Sequence, residues 1–200
     1  MQKLPDLSLE QRLANKQRFI EILSELNIDL TTILHYLESD RVDFFNKPYD
    51  LFTYNYAGSL CDRALKVYDC LMRQTAVYLN NYNKNELIII TLLKDIYRAE
   101  LYESYTKNIK NDTTNQWEAI LDFRTKDIRP VFGDLGFSSY MIIKKFILNL
   151  SDEAIEAIIF AGNYSISPDL YKIKQYYPLV SIISIVEQTV DYIERNSVCN

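Results

Sequence analysis

The sequence predicts a mainly α-helical domain that carries one small β-hairpin. Three observations lead there. The 200 residues include only four glycines and five prolines, too few for the turns of an all-β fold. Apolar residues recur at i, i+3, i+4 and i+7 through most of the chain, which is the spacing of one helix face. One segment, residues 101–125, instead alternates polar and apolar side chains around a polar turn.

Leu9 to Leu26 places Leu13, Phe19, Ile20, Ile22, Leu23 and Leu26 on one stripe behind Ser8, a good N-cap. A second, shorter helix is predicted from Leu30 to Glu38. Phe44 to Asn55 breaks the period with Asn46, Pro48 and Asp50, so it reads as an ordered aromatic loop lying over the core. Ala57 to Leu79 is the longest helix, with Leu60, Leu65, Tyr68, Leu71 and Met72 in register. After a cap at Asn85, Leu87 to Leu93 is apolar all round and therefore central, and the helix is expected to run on through Lys94, Asp95 and Arg98. Leu101 to Thr125 gives the hairpin. Helices return over about Phe137–Asn149, Asp152–Ala161 (capped by Ser151) and Tyr177–Arg195, with Pro168 closing a loop between the last two.

Composition removes several function classes. A formal net charge of -5 offers no general attraction for nucleic acid or an anionic membrane, so any anion site is local. Cys61, Cys70 and Cys199 make no CxxC and no even framework, which fits a reducing cytosol. Met1 to Arg12 lacks a leader-like apolar run, and Leu87–Leu93 and Tyr140–Leu150 are too short or too broken by lysines to span a bilayer. The expectation is one cytoplasmic domain over residues 1–200, with lead helices at 9–38 and a core at 44–195. Walker A, GxGxxG and GxSxG motifs are absent.

Particular residues resemble a known family. Phe44-Phe45, then Tyr56-Ala57-Gly58-Ser59-Leu60, Leu65 and Val67-Tyr68, are similar to the FF…YxGGLxxHSLxVY run of small HD-domain phosphohydrolases of phages and Firmicutes. Leu92-Leu93-Lys94-Asp95 with Arg98 resembles that family's LLHDxxK segment. Trp117 falls where its hairpin has an aromatic, and Leu150-Ser151-Asp152-Glu153 and Pro178-Leu179-Val180 resemble its LTDEE and PLV landmarks. The likeness covers roughly residues 33–194 and implies an HD-like helical bundle with a β-hairpin insertion.

In that family, histidines and aspartates hold a divalent cation that activates water against a phosphoester. Here Arg63 stands at the first histidine, Lys94 at the histidine of the HD pair, Ala161 at a later histidine and Glu187 at the last aspartate; only Asp95 is kept in type. Protonated Arg and Lys have no lone pair for a metal. His35, the single histidine, lies outside the motif and reads as a residue without a catalytic role. The resemblance therefore implies a silent protein without cofactor or metal rather than a hydrolase.

If the bundle is kept, Arg63, Lys94 and Arg98 meet in one pocket with Asp95 and Glu187. The cations either grip phosphate oxygens or close into an internal ion-pair network with Asp95. Arg124, with Lys126 and Arg129, extends the cations toward the pocket mouth, and Tyr56 is a candidate for stacking on a base.

The leading expectation is capture of a phosphate-bearing small molecule, a nucleotide or cyclic oligonucleotide, as in a phage counter-defence sponge acting in the host cytoplasm. The rivals are a protein-interaction or structural module, self-associating or not, and a residual metal-dependent phosphohydrolase using Asp95, Glu187 and Asp134.

Overall fold

The computed structural model describes residues 4–26, 28–78, 81–111, 115–127, 134–162 and 168–197. It is mainly helical with one two-stranded antiparallel sheet. The helices are α1 (Leu9–Leu23), α2 (Leu30–Glu38), α3 (Ser59–Tyr78), α4 (Lys84–Leu93), α5 (Arg98–Leu101), α6 (Leu135–Ile143), α7 (Asp152–Phe160), α8 (Pro168–Tyr176) and α9 (Pro178–Ser197); the strands are β1 (Tyr102–Lys110) and β2 (Trp117–Thr125).

Helix starts follow the side chains that can cap them. Ser8 accepts from the Gln11 backbone while the Gln11 side chain accepts from Ser8 N–H, a reciprocal capping box that satisfies two orphan donors of α1. Asp29, Asn83, Asp134 and Ser151 cap α2, α4, α6 and α7 in the same one-way fashion. The cap of α4 is thus Asn83, two residues before the one expected.

Helix α4 is the axis of the fold. Leu87 through Leu93 are all buried, with α1, α3 and α7 packed around them and α9 lying against α3 and α7. The aromatic loop closes one side: Phe44 and Phe45 form a short 3-10 turn and pack with Phe19 of α1, ring centroids 5.3 to 5.5 Å apart. At Gly136 a Cβ would overlap the Ile159 carbonyl, so only glycine allows α6 to lie so close on α7.

Three expectations need correction. Helix α4 does not run through Arg98: it stops at Leu93, residues 94–97 form turns, and Arg98 opens the separate short helix α5. That break turns the charged residues inward instead of continuing an all-round apolar rod. Pro168 does not close a loop but begins α8, a position that tolerates proline because the first helical N–H has no intrahelical partner. Helix α6 ends at Ile143, short of Asn149.

The hairpin has the predicted extent. Its register pairs Tyr102 with Thr125 and Lys110 with Trp117. Asp122 ties its base to the aromatic loop, accepting from Asn55 Nδ2 at 3.2 Å and from the Tyr105 hydroxyl at 3.1 Å. Among the described residues no helix is long and apolar enough to cross a membrane.

Candidate functional site

Five of the seven sequence-predicted site residues converge. Arg63 comes from α3, Lys94 and Asp95 from the turns after α4, Arg98 from the start of α5, and Glu187 from α9. Two further residues complete the cluster: Asp191, one turn after Glu187, and Tyr49 from the aromatic loop.

Lys94 Nζ lies between two carboxylates, paired with Asp95 Oδ2 and 2.6 Å from Glu187 Oε1. Arg63 donates Nη1 to the same Glu187 oxygen at 3.0 Å and Nη2 to Asp191 Oδ1 at 3.0 Å. Arg98 donates Nε to Asp95 Oδ1 at 3.0 Å and Nη1 to the Tyr49 carbonyl at 3.1 Å. Both guanidinium carbons sit over the Tyr49 ring, at 4.1 Å for Arg63 and 4.0 Å for Arg98, where the ring's negative face attracts them. Three cations face three carboxylates, so the set is formally neutral.

The centre is closed. Arg63 is 2% exposed and Glu187 0%, while Asp95 and Arg98 reach solvent at 21% and 17% of their side-chain surface. Burial opposes the charges of Lys94 and Asp95, and their partners overcome it. Desolvation pulls Lys94 down, but Asp95 and Glu187 hold it well above the ordinary lysine range. Desolvation pushes Asp95 up, but Lys94, Arg98 and Arg63 hold it well below the ordinary carboxylate range. Lys94 and Asp95 both stay ionised across neutral pH.

A cavity of about 200 Å³ opens over the exposed edge of the cluster, lined by Lys94, Asp95 and Arg98, by Asp134 and Gly136 at the start of α6, and by Gly162. Its charges also cancel, two cations against Asp95 and Asp134. Ala161 is buried at the end of α7, and a Cβ on the neighbouring Gly162 would lie 3.8 Å from Lys94 Nζ.

The remaining candidates lie elsewhere. Tyr56 is buried and donates its hydroxyl to Asp62 Oδ2 at 2.8 Å, a carboxylate that also accepts from Lys66 at 2.7 Å, so its ring is not a free stacking platform. Arg124 is on the hairpin, paired with Glu103 across the strands at 2.7 Å, and does not line the cavity. Arg129 lies outside the described residues. His35 is exposed on α2.

As a metal shell, the donors do not fit. Among the described residues no three His, Cys, Asp or Glu side chains group to hold an ion. Asp134 instead caps α6, accepting from Phe137 N–H at 2.8 Å, and the space between Asp95 and Glu187 is filled by the Lys94 ammonium. No protein-family model, curated protein or solved structure matches the chain.

Sequence reasoning missed Asp191 and Tyr49. Asp191 was within reach, because Glu187 and Asp191 are i and i+4 on one face of α9. Tyr49 sits in a loop with no periodicity to mark it.

Proposed function

We propose that this chain is a catalytically silent, HD-like scaffold that works as an interaction module, and that its docking element is the hairpin. The silence follows from the cluster: the Lys94 ammonium takes the place of a metal cation between Asp95 and Glu187, and a tethered ammonium cannot supply an activated water.

The observation that carries the interaction reading is the division of charge between the two faces of the ribbon. The register puts Tyr102, Ser104, Thr106, Asn108, Lys110, Trp117, Ala119, Leu121, Phe123 and Thr125 on one face, with a single charged residue among them. The other face carries Glu103, Lys107, Glu118, Asp122 and Arg124. On the face with one charge, only the base, Tyr102 and Phe123, is buried in the domain; Trp117 is 71% and Leu121 58% exposed. Apolar side chains kept in the open on a face cleared of charge mark a contact surface. The occupant we assign is a second copy of the chain, because two such faces packed about a two-fold axis bury Trp117 and Leu121 against each other and place Lys110 at the rim.

Trp117 is the only tryptophan, so it reports on its own burial. Raising protein concentration should shift its emission to shorter wavelength in step with dimer formation by sedimentation, and Leu121→Lys should abolish both. A protein that sediments as a monomer with unchanged emission at all concentrations would overturn self-association.

A second reading is favoured by the cavity over Arg98: capture of a small phosphate-bearing molecule by guanidinium N–H groups not used by Asp95 and Tyr49. At about 200 Å³ the cavity is below the roughly 300–1,000 Å³ of common ligand sites, so it suits a phosphoryl group better than a whole cyclic oligonucleotide. Stabilisation by phosphomonoesters that is lost in Arg98→Ala would favour it.

A further inference from the structure

Helices α3 and α9 pack against each other, and a cavity of about 300 Å³ opens between them. It is larger than the cavity over Arg98 and shares no lining residue with it. It also reaches the lower edge of the roughly 300–1,000 Å³ of common ligand sites. Helix α3 supplies Lys66, Asp69, Cys70, Arg73 and Gln74, which are i, i+3, i+4, i+7 and i+8 and so share one face. Helix α9 answers with Val190, Ile193 and Glu194, again at i, i+3 and i+4.

The lining grades from apolar to charged. Val190 is buried and Cys70 half-buried, so they form the floor, while Ile193, 56% exposed, and Arg73, also exposed, stand at the rim. Gln74 Nε2 lies 3.7 Å from Cys70 Sγ. Burial pushes the Cys70 thiol up, which keeps it protonated at neutral pH, so it offers a ligand polarisable surface rather than a nucleophile. The acidic side chains are already engaged. Asp69 accepts from Arg18 of α1, through Nη1 at 2.9 Å and through Nη2. Glu194 Oε2 accepts from Lys66 Nζ at 2.8 Å, and the same ammonium donates to Asp62 Oδ2 at 2.7 Å. Arg73 has no such commitment: among the described residues it enters no hydrogen bond or ion pair. The cavity thus joins an apolar floor to one unmatched positive charge.

We propose that the groove between α3 and α9 binds a small aliphatic monocarboxylate, its chain on Val190, Ile193 and Cys70 and its carboxylate on the Arg73 guanidinium. Charge complementarity selects the anion. Both carboxylates that line the groove meet cations of the fold, so a ligand ammonium finds no unpaired partner there. A ligand carboxylate finds a guanidinium whose fork matches it in bidentate fashion. The chain contributes by removing the exposed Ile193 side chain from water.

The test is calorimetric titration and thermal unfolding with octanoate, with acetate, octanol and octylammonium as controls, all below micelle-forming concentrations and at matched ionic strength. Octanoate should raise Tm and bind about tenfold more tightly than octanol, the effect of one charge-assisted hydrogen bond. It should also slow alkylation of Cys70 by N-ethylmaleimide, read by peptide mass mapping, which separates this groove from the exposed hairpin face. Arg73→Gln should erase the preference for octanoate over octanol, and Ile193→Asp should weaken octanoate binding by about tenfold. Both residues are exposed, so neither change should lower the Tm of the unliganded protein appreciably. The site is overturned if acetate, octanol or octylammonium binds as tightly as octanoate, if Cys70 stays equally reactive, or if Arg73→Gln binds octanoate as the native protein does.

Discussion

The cluster around Lys94 and the hairpin face around Trp117 have opposite surroundings, with Lys94 4% and Trp117 71% exposed. Lys94 is held between Asp95 and Glu187, inside a set of six charges that cancel. Trp117 and Leu121 stand in the open on a ribbon face that carries one charge, Lys110. Charges whose counter-charges are built in are structure, and apolar side chains left in the open are surface available for contact. The cations that the sequence marks as the site are the ones least available to a ligand.

The comparison breaks most directly at Lys94. Lys94→Met leaves Asp95 and Glu187 facing one cation fewer in the interior, and should cost about 3–5 kcal/mol in urea unfolding. A loss under about 1 kcal/mol would mean that the cluster is not a unit.

Next comes pH. Asp95 in the folded protein titrates below its ordinary 3.8, so its contribution is complete above about pH 4 and is lost as pH falls through the folded value. Lys94 titrates above its ordinary 10.5, so its contribution is complete below that value and is lost as pH rises through the folded one. The urea midpoint should therefore show no step from these groups between about pH 5 and 9. In Lys94→Met the acid edge should move up, since Asp95 has lost its first attracting charge.

The exposed hairpin face should be far less sensitive. Trp117→Ala is expected to cost no more than about 1 kcal/mol, measured by the same unfolding. The smallest effect belongs to Arg124, which is 62% exposed and pairs on the hairpin surface: Arg124→Ala should change stability by no more than about 0.5 kcal/mol.

What was legible in the sequence follows from where periodicity operates. The stripes of α1, α3 and α9 and the alternation of β1 and β2 are regular over nine or more residues, and each element is present. Boundaries failed where a local rule competes with the period. Leu87–Leu93 gives no hint that the helix stops at Leu93, and Lys94, the next residue, is buried like the apolar ones before it. Pro168 reads equally as a stop or as a first helical residue, and α8 uses the second sense.

At the site, Arg63, Lys94, Asp95, Arg98 and Glu187 were found as a group because residue type at matching positions carries across helices. That they close on one another, rather than open toward a ligand, depends also on Asp191, one turn from Glu187 on α9, and on Tyr49, which no pattern flags.

The most direct check of the central claim is the metal content of the purified protein, followed by calorimetric titration with zinc and manganese. A cluster whose internal cation is Lys94 should carry no stoichiometric transition metal and take up none. One equivalent of metal bound to the native protein, and lost in Asp95→Asn, would contradict it.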